Sequence, residues 1–498
     1  MRRVSRVTLG AAMFCLMVPL SHGQTAEKPA RSQHYSGKVR TSFYVPMRDG
    51  TRIAMNVYRP MVDGKPVAER LPVIFAFTPY RARYRDEKGA IVEVADSVEL
   101  GLRDMTDHGY IVAVADIRGK GASFGRRRGM QDRTEAQDGH DLVEWLAAQP
   151  WSDGNIGMTG CSYLGGTVVK TATTAPPHLR AIFAGASDFD KYAFVRTGGI
   201  TGQFNTRPDE PLSVDLASLP VDADPDGALL RAAVAEHAGN DPMALLWNTM
   251  PFRDSMSKYT GTKFWEEASP YSYFQTLKRS GIAFYYWGNW HDEPTGQVIL
   301  AAVNLGGRAM IGPGSHCVPP PGVDLGQVQR HFFDRHLKGI RTGIDQEPRF
   351  RWWVLDAEGD PWRMASSYPG AGLKRQFLYP APGKSGTVAS ANDGALAERV
   401  AVRGMDRFAV DYDVATKEYF PFWPAVLDER GLTYTSPPLA EDVTVTGYPV
   451  VRLNVSSDQA SGNVFVYLEE VAPDGKAENI AFGRLALAHR KLSPAPYD

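Results

Sequence analysis

With only three cysteines, a net charge of −1 and no long apolar run beyond its N-terminus, this 498-residue chain excludes several protein classes at once. Three cysteines supply neither a disulfide framework nor a zinc-finger ligand set. Lys plus Arg number 55 against 56 Asp plus Glu, so no basic excess exists to neutralise a phosphate backbone, which argues against a nucleic-acid partner. Internal repeats and low-complexity segments are absent. What is present is ordinary globular composition, 43% hydrophobic and 22% charged, in a chain long enough for two or three domains.

The N-terminus reads as an export signal. Arg2, Arg3 and Arg6 precede an apolar run from Val7 to Leu20, and Ser21-His22-Gly23 supplies the small residues of a cleavage site. That run is too short to span a bilayer. Cys15 lacks the small residue before it that a lipoprotein signal needs. The expectation is a signal peptide over 1–23, a polar linker over 24–37, and a mature chain that is periplasmic or secreted, with no membrane span.

Short strand-like runs follow. Lys38–Val45 and Thr51–Arg59 flank the turn signal Arg48-Asp49-Gly50. Leu71–Phe77 and Gly109–Asp116 are continuous apolar runs, the mark of strands buried on both faces. Gly139–Gln149 predicts a helix, Asn155–Gly160 a strand, Thr167–Thr174 a helix and Ala181–Ala186 a strand. Strand and helix alternating in this way predict a parallel sheet wrapped by helices. From about 190 to 275 the pattern turns to helical pieces, including Leu229–Ala238 and Asp241–Met250, which read as an insertion over the sheet. The sheet resumes with Ile282–Trp287 and Gly307–Gly312, and a helix over Val328–Leu337 closes this part. Beyond about 345 the texture is β: Phe350–Leu355, Arg375–Tyr379, Asp442–Thr446, Val450–Val455, Val464–Val471 and Arg484–Ala488, with turns such as Pro473-Asp474-Gly475.

The strongest chemical signal is Gly160-Cys161-Ser162-Tyr163-Leu164-Gly165. A serine between a buried strand and a helix can sit on a tight turn, its hydroxyl above the sheet and the helix N-terminus beside it to hold an oxyanion. The spacing departs from the generic G-x-S-x-G and also fits an ordinary turn. A serine nucleophile needs a base, and the base an orienting acid. Asp292 and His316 follow the two resumed strands at their C-terminal ends, where sites in parallel sheets lie. Glu293 rivals Asp292. His291, His331 and His336 rival His316, but His331 and His336 fall in the helical segment and His291 shares the acid's loop.

Several further stretches complete a pattern. They are Asp116-Ile117-Arg118-Gly119-Lys120-Gly121-Ala122-Ser123, Asp138-Gly139, Glu144-Trp145-Leu146, Gln149-Pro150-Trp151-Ser152-Asp153-Gly154, Gly312-Pro313-Gly314-Ser315-His316, and Phe332 to Gly339. Over roughly residues 40 to 498 the chain resembles the serine hydrolases that group cocaine esterase, α-amino-acid ester hydrolases, glutaryl-cephalosporin acylases and X-prolyl dipeptidyl peptidases. The elbow fits that family's G-x-S-Y-x-G form. Gly314 stands where its G-P-W-x-H motif has tryptophan.

The resemblance implies an α/β-hydrolase fold with a helical cap insertion and a C-terminal all-β jelly-roll sandwich. The expected segments are 38–189 and 276–345 for the hydrolase core, 190–275 for the cap and 346–498 for the jelly-roll, which is short beside the family's. It implies a Ser162, Asp292 and His316 triad, and an oxyanion hole made by the Tyr163 N–H and the Tyr80 hydroxyl. No cofactor or metal is expected. The substrate would be a small ester or amide, β-lactam side chains included. X-Pro dipeptide release is the alternative, and an inactive binding protein using its β-sandwich is the reading from another class. An exposed sandwich edge would favour a homo-oligomer. Relatives that recognise a free α-amine carry a D-x-E-D run, and here the run is Asp292-Glu293-Pro294-Thr295, so that part of the likeness is incomplete. Tyr285, Tyr286, Trp287 and Trp290 could line an aromatic acyl pocket or sit in the core. Cys161 and Cys317 each adjoin a triad residue, and export would permit them to pair. Being neighbours of triad residues does not bring two sulfurs into bonding reach, and the sequence favours leaving them unpaired.

Overall fold

The computed structural model describes residues 35–498 apart from 203–208, 401–403, 415–425, 492–493, 496 and 498. The expected signal peptide and most of the linker lie outside the described residues. Strand β1 (Lys38–Pro46) pairs antiparallel with β2 (Arg52–Val62) around the Arg48-Asp49-Gly50 turn. A two-residue strand, β3 (Lys65–Pro66), folds back on β2. Next, β4 (Leu71–Thr78) is buried at every position. Phe75 and Phe77 join the apolar cluster on one face and Ile74 and Ala76 that on the other, so every side chain of the run has a core to enter. A small hairpin, β5 (Arg83–Arg85) and β6 (Ile91–Glu93), precedes β7 (Ile111–Asp116), again wholly buried.

Helix α1 (Arg133–Ala147) begins where Asp132 accepts the Glu135 N–H, six residues before the expected start. Gly139 therefore lies inside it, and a Cβ there would stand 2.0 Å from Thr171 Oγ1 on the next helix. Close packing of two helices, not a helix end, explains that glycine. Strand β8 (Ser152–Cys161), α2 (Tyr163–Ala172) and β9 (Leu179–Gly185) follow.

The segment between β9 and β10 carries α3 (Lys191–Val195), α4 (Leu212–Leu216), α5 (Ala228–His237), α6 (Met243–Asn248), α7 (Phe264–Glu267) and α8 (Phe274–Arg279). It has its own apolar cluster, with Trp247, Trp265 and Phe264 at its centre. Polar contacts tie it to the loops after β4 and β7. Arg81 donates to the Val214 carbonyl, Lys120 pairs with Asp215, and His237 bridges Asp215 and the Ser123 carbonyl.

The sheet resumes with β10 (Ala283–His291), α9 (Thr295–Leu305), β11 (Arg308–Ser315) and α10 (Leu325–Leu337). Strands β12 (Phe350–Trp353) and β13 (Trp362–Ala365) then extend it. The order is β1-β2-β7-β4-β8-β9-β10-β11-β12-β13, parallel from β7 to β12 and antiparallel at both ends. Thus β12, expected in the sandwich, continues the central sheet beside β11.

The rest of the C-terminal region is β-rich. Strands β14 (Tyr379–Lys384), β15 (Gly394–Ala397) and β16 (Tyr434–Thr435) form one sheet, and β17 (Asn463–Val471) with β18 (Ala477–Ala486) a hairpin over the Pro473-Asp474-Gly475 turn. The expected strands 442–446 and 450–455 have no ladder partner among the described residues, and Val443, Val445, Val450 and Leu453 are exposed. Apolar alternation makes a strand only where a neighbouring strand satisfies its backbone.

Candidate active site

Ser162 occupies the single-residue turn between β8 and α2, at φ 61° and ψ −129°. Such a backbone costs on the order of 1–3 kcal/mol for a residue with a side chain and is kept where the surroundings enforce it. Here they do. A Cβ on Gly160 would lie 2.5 Å from Leu164 Cβ, and one on Gly165 2.0 Å from the Gly185 carbonyl oxygen. The second glycine of the elbow is therefore at 165 because α2 crosses β9 there. Close packing also overrides the poor helix propensity of Gly165-Gly166, so α2 starts at Tyr163 and not at Thr167.

The three expected triad residues are in line. Ser162 Oγ lies 2.7 Å from His316 Nε2, and His316 Nδ1 lies 2.8 Å from Asp292 Oδ1. A carboxylate only accepts, so Nδ1 carries the proton and Nε2 is free to receive one from the serine. Burial pushes His316 below its ordinary 6.5. The rival histidines sit elsewhere. His331 faces Glu347, His336 packs on Phe332, and His291, half-buried, feels the charge of Glu478. Glu293 lies beside Asp292, and burial together with that neighbour pushes its carboxyl up to about 9.

Two devices hold the His316 loop. Asn289, fully buried at the end of β10, donates through Nδ2 to the carbonyls of Ser315 and Val318, one on either side of the base. The other was not expected: Cys161 and Cys317 form a disulfide, with Cα atoms 5.9 Å apart. The loop after β11 folds back over the ends of β9 and β10 to reach β8, which no local pattern encodes. The bridge thus links the residue before the nucleophile to the residue after the base. A Cβ at Gly314 would meet nothing closer than Asn289 at 3.8 Å.

Tyr163 is buried, and its hydroxyl donates to Glu135 Oε2 at 2.8 Å while Gln131 Nε2 donates to its carbonyl. This fixes the first residue of α2 and with it the N–H at the helix N-terminus. Burial raises Glu135 to about 8. Beneath it Lys191 bridges Gln131 and Asp188, and Lys170 pairs with Asp188. Tyr80 is 43% exposed and stands edge-on to Tyr163, ring centroids 6.3 Å apart.

The stretch 116–123 acts as a clamp for the Tyr80 loop. Asp116 accepts the N–H groups of Ala82 and Ala122, and a Cβ on Gly121 would strike its carboxyl. Ser123 Oγ donates to the Asp116 carbonyl and accepts the Ala54 N–H. Arg118 binds Asp138 through two hydrogen bonds. The motif was visible in the sequence, but its structural purpose was not.

Tyr285, Tyr286 and Trp287 are buried in β10 under helices on both faces, so they are core and not an acyl pocket. Trp290 is half-buried and donates to the Trp353 carbonyl. One oxygen each of Asp292 and Glu293 and one His316 nitrogen lie within 4.8 Å of one another, a donor set a cation could use. Both His316 nitrogens are, however, already engaged by Asp292 and Ser162. No helix among the described residues is long and apolar enough to cross a membrane.

Residues 49–318 match the family model for X-Pro dipeptidyl-peptidase (S15 family), and residues 342–497 that for the X-Pro dipeptidyl-peptidase C-terminal non-catalytic domain. A Mycobacterium bovis protein provisionally assigned as a serine esterase is 28% identical over 93% of this chain and 83% of its own length. Cocaine esterase of Rhodococcus sp. (strain MB1 Bresler) is 26% identical over 92% of this chain and 84% of its own. A solved CocE/NonD family hydrolase from Staphylococcus aureus shares the fold at TM-score 0.50 and 18% identity, over 69% of this chain and 58% of that one.

Proposed function

This chain belongs to the X-Pro dipeptidyl-peptidase S15 family of serine hydrolases, and from that premise we propose that it is an esterase acting on small carboxylic esters through an acyl-enzyme on Ser162. The observation that carries this reading is the continuous line from Ser162 Oγ through His316 to Asp292. His316 takes the serine proton as Oγ attacks the acyl carbon. Asp292 holds the imidazole tautomer and stabilises the cation that forms. The Tyr163 N–H and the Tyr80 hydroxyl receive the oxyanion, His316 returns its proton to the leaving alcohol, and water repeats the sequence to free the acid.

Esters are favoured over X-Pro peptides because the esterase relatives align over 93% and 92% of the chain. A Rhodopirellula baltica relative assigned provisionally as an Xaa-Pro dipeptidyl-peptidase aligns over 74% at 23% identity. The family model's own name keeps dipeptide release as the second reading. Acylase action on amides follows from the same chemistry. The test is hydrolysis of p-nitrophenyl acetate and butyrate, glutaryl amides and Ala-Pro-p-nitroanilide by the mature protein and by Ser162→Ala. Ester turnover that vanishes in the folded variant supports the reading. Turnover of the anilide alone would replace it with the peptidase, and no turnover of any of them would overturn it. Export is part of the proposal, supported by the N-terminal pattern and by a disulfide that persists in oxidising compartments. An exclusively cytosolic protein would refute it, and Met1 retained in the periplasmic or culture fraction would refute only cleavage of the signal.

A further inference from the structure

The acid of the triad has an unusual neighbour. Asp292 is buried, and while its Oδ1 receives the His316 Nδ1–H, its Oδ2 has no hydrogen-bond donor among the described residues. The Oε2 of Glu293, also buried, has none either. One oxygen of each lies within 4.8 Å of one oxygen of the other, and a hydrogen bond between the two side chains contributes to the shift of each carboxyl. Their loop offers only partial relief: the Glu293 backbone N–H favours the ionised form of both carboxyls without outweighing burial, Pro294 has no N–H, and the Thr295 N–H is directed at the Asp292 carbonyl, not its carboxylate. Two ionised carboxylates placed so would each leave a buried oxygen unsatisfied and repel one another. One proton between them removes both penalties.

We propose that Glu293 is a positioning residue of the hydrolytic site, kept as the neutral acid and donating its O–H to Asp292 Oδ2 so that Oδ1 stays aimed at His316. The proton belongs on Glu293 and not on Asp292, because Asp292 is the carboxyl that faces the His316 N–H. Asp292 and His316 are the titratable groups whose charges act on Glu293, and the charge that acts on His291 is that of Glu478. The direction of the Glu293 shift, upward from burial and from Asp292, agrees. This inference rests on the esterase reading for its kinetics but not for its spectroscopy.

The test uses the mature protein and Glu293→Gln and Glu293→Ala. Gln keeps a neutral N–H donor, whereas Ala leaves Asp292 Oδ2 bare. With p-nitrophenyl butyrate, Glu293→Ala is expected to lower kcat on the order of 10–100-fold, the usual range for losing an orienting partner, with KM little changed. Glu293→Gln should restore most of that loss. The wild-type kcat should fall on the alkaline side as Glu293 ionises, and in Glu293→Gln that limb should move up. Infrared difference spectra at neutral pH should show a protonated-carboxyl C=O band in the wild type that Glu293→Gln lacks, whatever the substrate. An identical alkaline limb in Glu293→Gln, or the absence of the band, overturns the proposal. A wild type that shows the band but hydrolyses no ester refutes the esterase reading and leaves this one standing.

Discussion

Reducing the Cys161–Cys317 bridge tests whether the site is held by covalent or by non-covalent means. The two cysteines are 156 residues apart. In the chain-entropy account, closing a loop of that length restricts the unfolded ensemble by about 5 kcal/mol, near the top of the usual range. Against a net stability of about 5–15 kcal/mol this is a third or more of the whole. The effect on activity has a separate origin. Asn289 still grips both sides of His316 in the reduced protein, so the base is not released but loosened. A misplacement of about 1 Å between reacting groups can cost about 10²-fold in rate.

The assay is urea unfolding of the oxidised protein, the reduced protein and the Cys161→Ala/Cys317→Ala variant, with thiol titration to prove that two sulfhydryls have been freed. Ester turnover is followed well below the unfolding midpoint. The expected outcome is a fall of about 2–5 kcal/mol in stability, shared by the reduced protein and the double variant, and a loss in kcat larger than any change in KM. Equal unfolding midpoints before and after proven reduction would refute the reasoning. They would mean that the unfolded chain is already compact across this span, or that the native loop is strained by the bridge.

Three further outcomes follow from the site. His316 must be neutral to act, and burial lowers its pKa, so kcat/KM should rise with pH through a step whose midpoint lies below 6.5; a midpoint at or above that value refutes the assignment. Tyr80→Phe keeps the ring against Tyr163 and removes only the hydroxyl, so kcat should fall about 10²–10³-fold if it is an oxyanion donor, and an unchanged kcat removes it from the mechanism. Gly165→Ala places a Cβ 2.0 Å from the Gly185 carbonyl oxygen. Because the obstacle is backbone, the variant should lose about 1–3 kcal/mol in urea unfolding together with activity, and an unshifted midpoint would contradict the packing argument.

The central sheet was readable in the sequence because strands buried on both faces appear as unbroken apolar runs, and Leu71–Phe77 could hardly be anything else. Asp292 and His316 could be found because they directly follow two such runs. Features set by long-range packing were not readable. The start of α2 depends on Gly165 lying against β9, and the helical place of Gly139 depends on Thr171. Cys161 and Cys317 leave strands three positions apart in the sheet, roughly 14 Å at the usual spacing, and only a returning loop joins them. The aromatic cluster of β10 read equally as pocket or core, and the layer of helices on each face decides for core. In the C-terminal region, apolar alternation over 442–446 and 450–455 announced strands, but alternation says nothing of whether a partner strand is at hand.

The pairing of β12 with β11, from Ala309 opposite Phe350 to Ile311 opposite Trp352, bears on how such a protein can be shuffled in evolution. Strand β11 runs straight into His316, so the first strand after residue 345 is a backbone neighbour of the strand that presents the base. A recombination breakpoint at the apparent seam would turn β11 into an open edge and take away the Trp353 carbonyl that receives Trp290. A breakpoint after Ala365, where β13 ends, leaves the sheet whole. Ancestral fusions or losses of the β-rich region are therefore expected to map beyond that residue, with β12 and β13 inherited as part of the catalytic half.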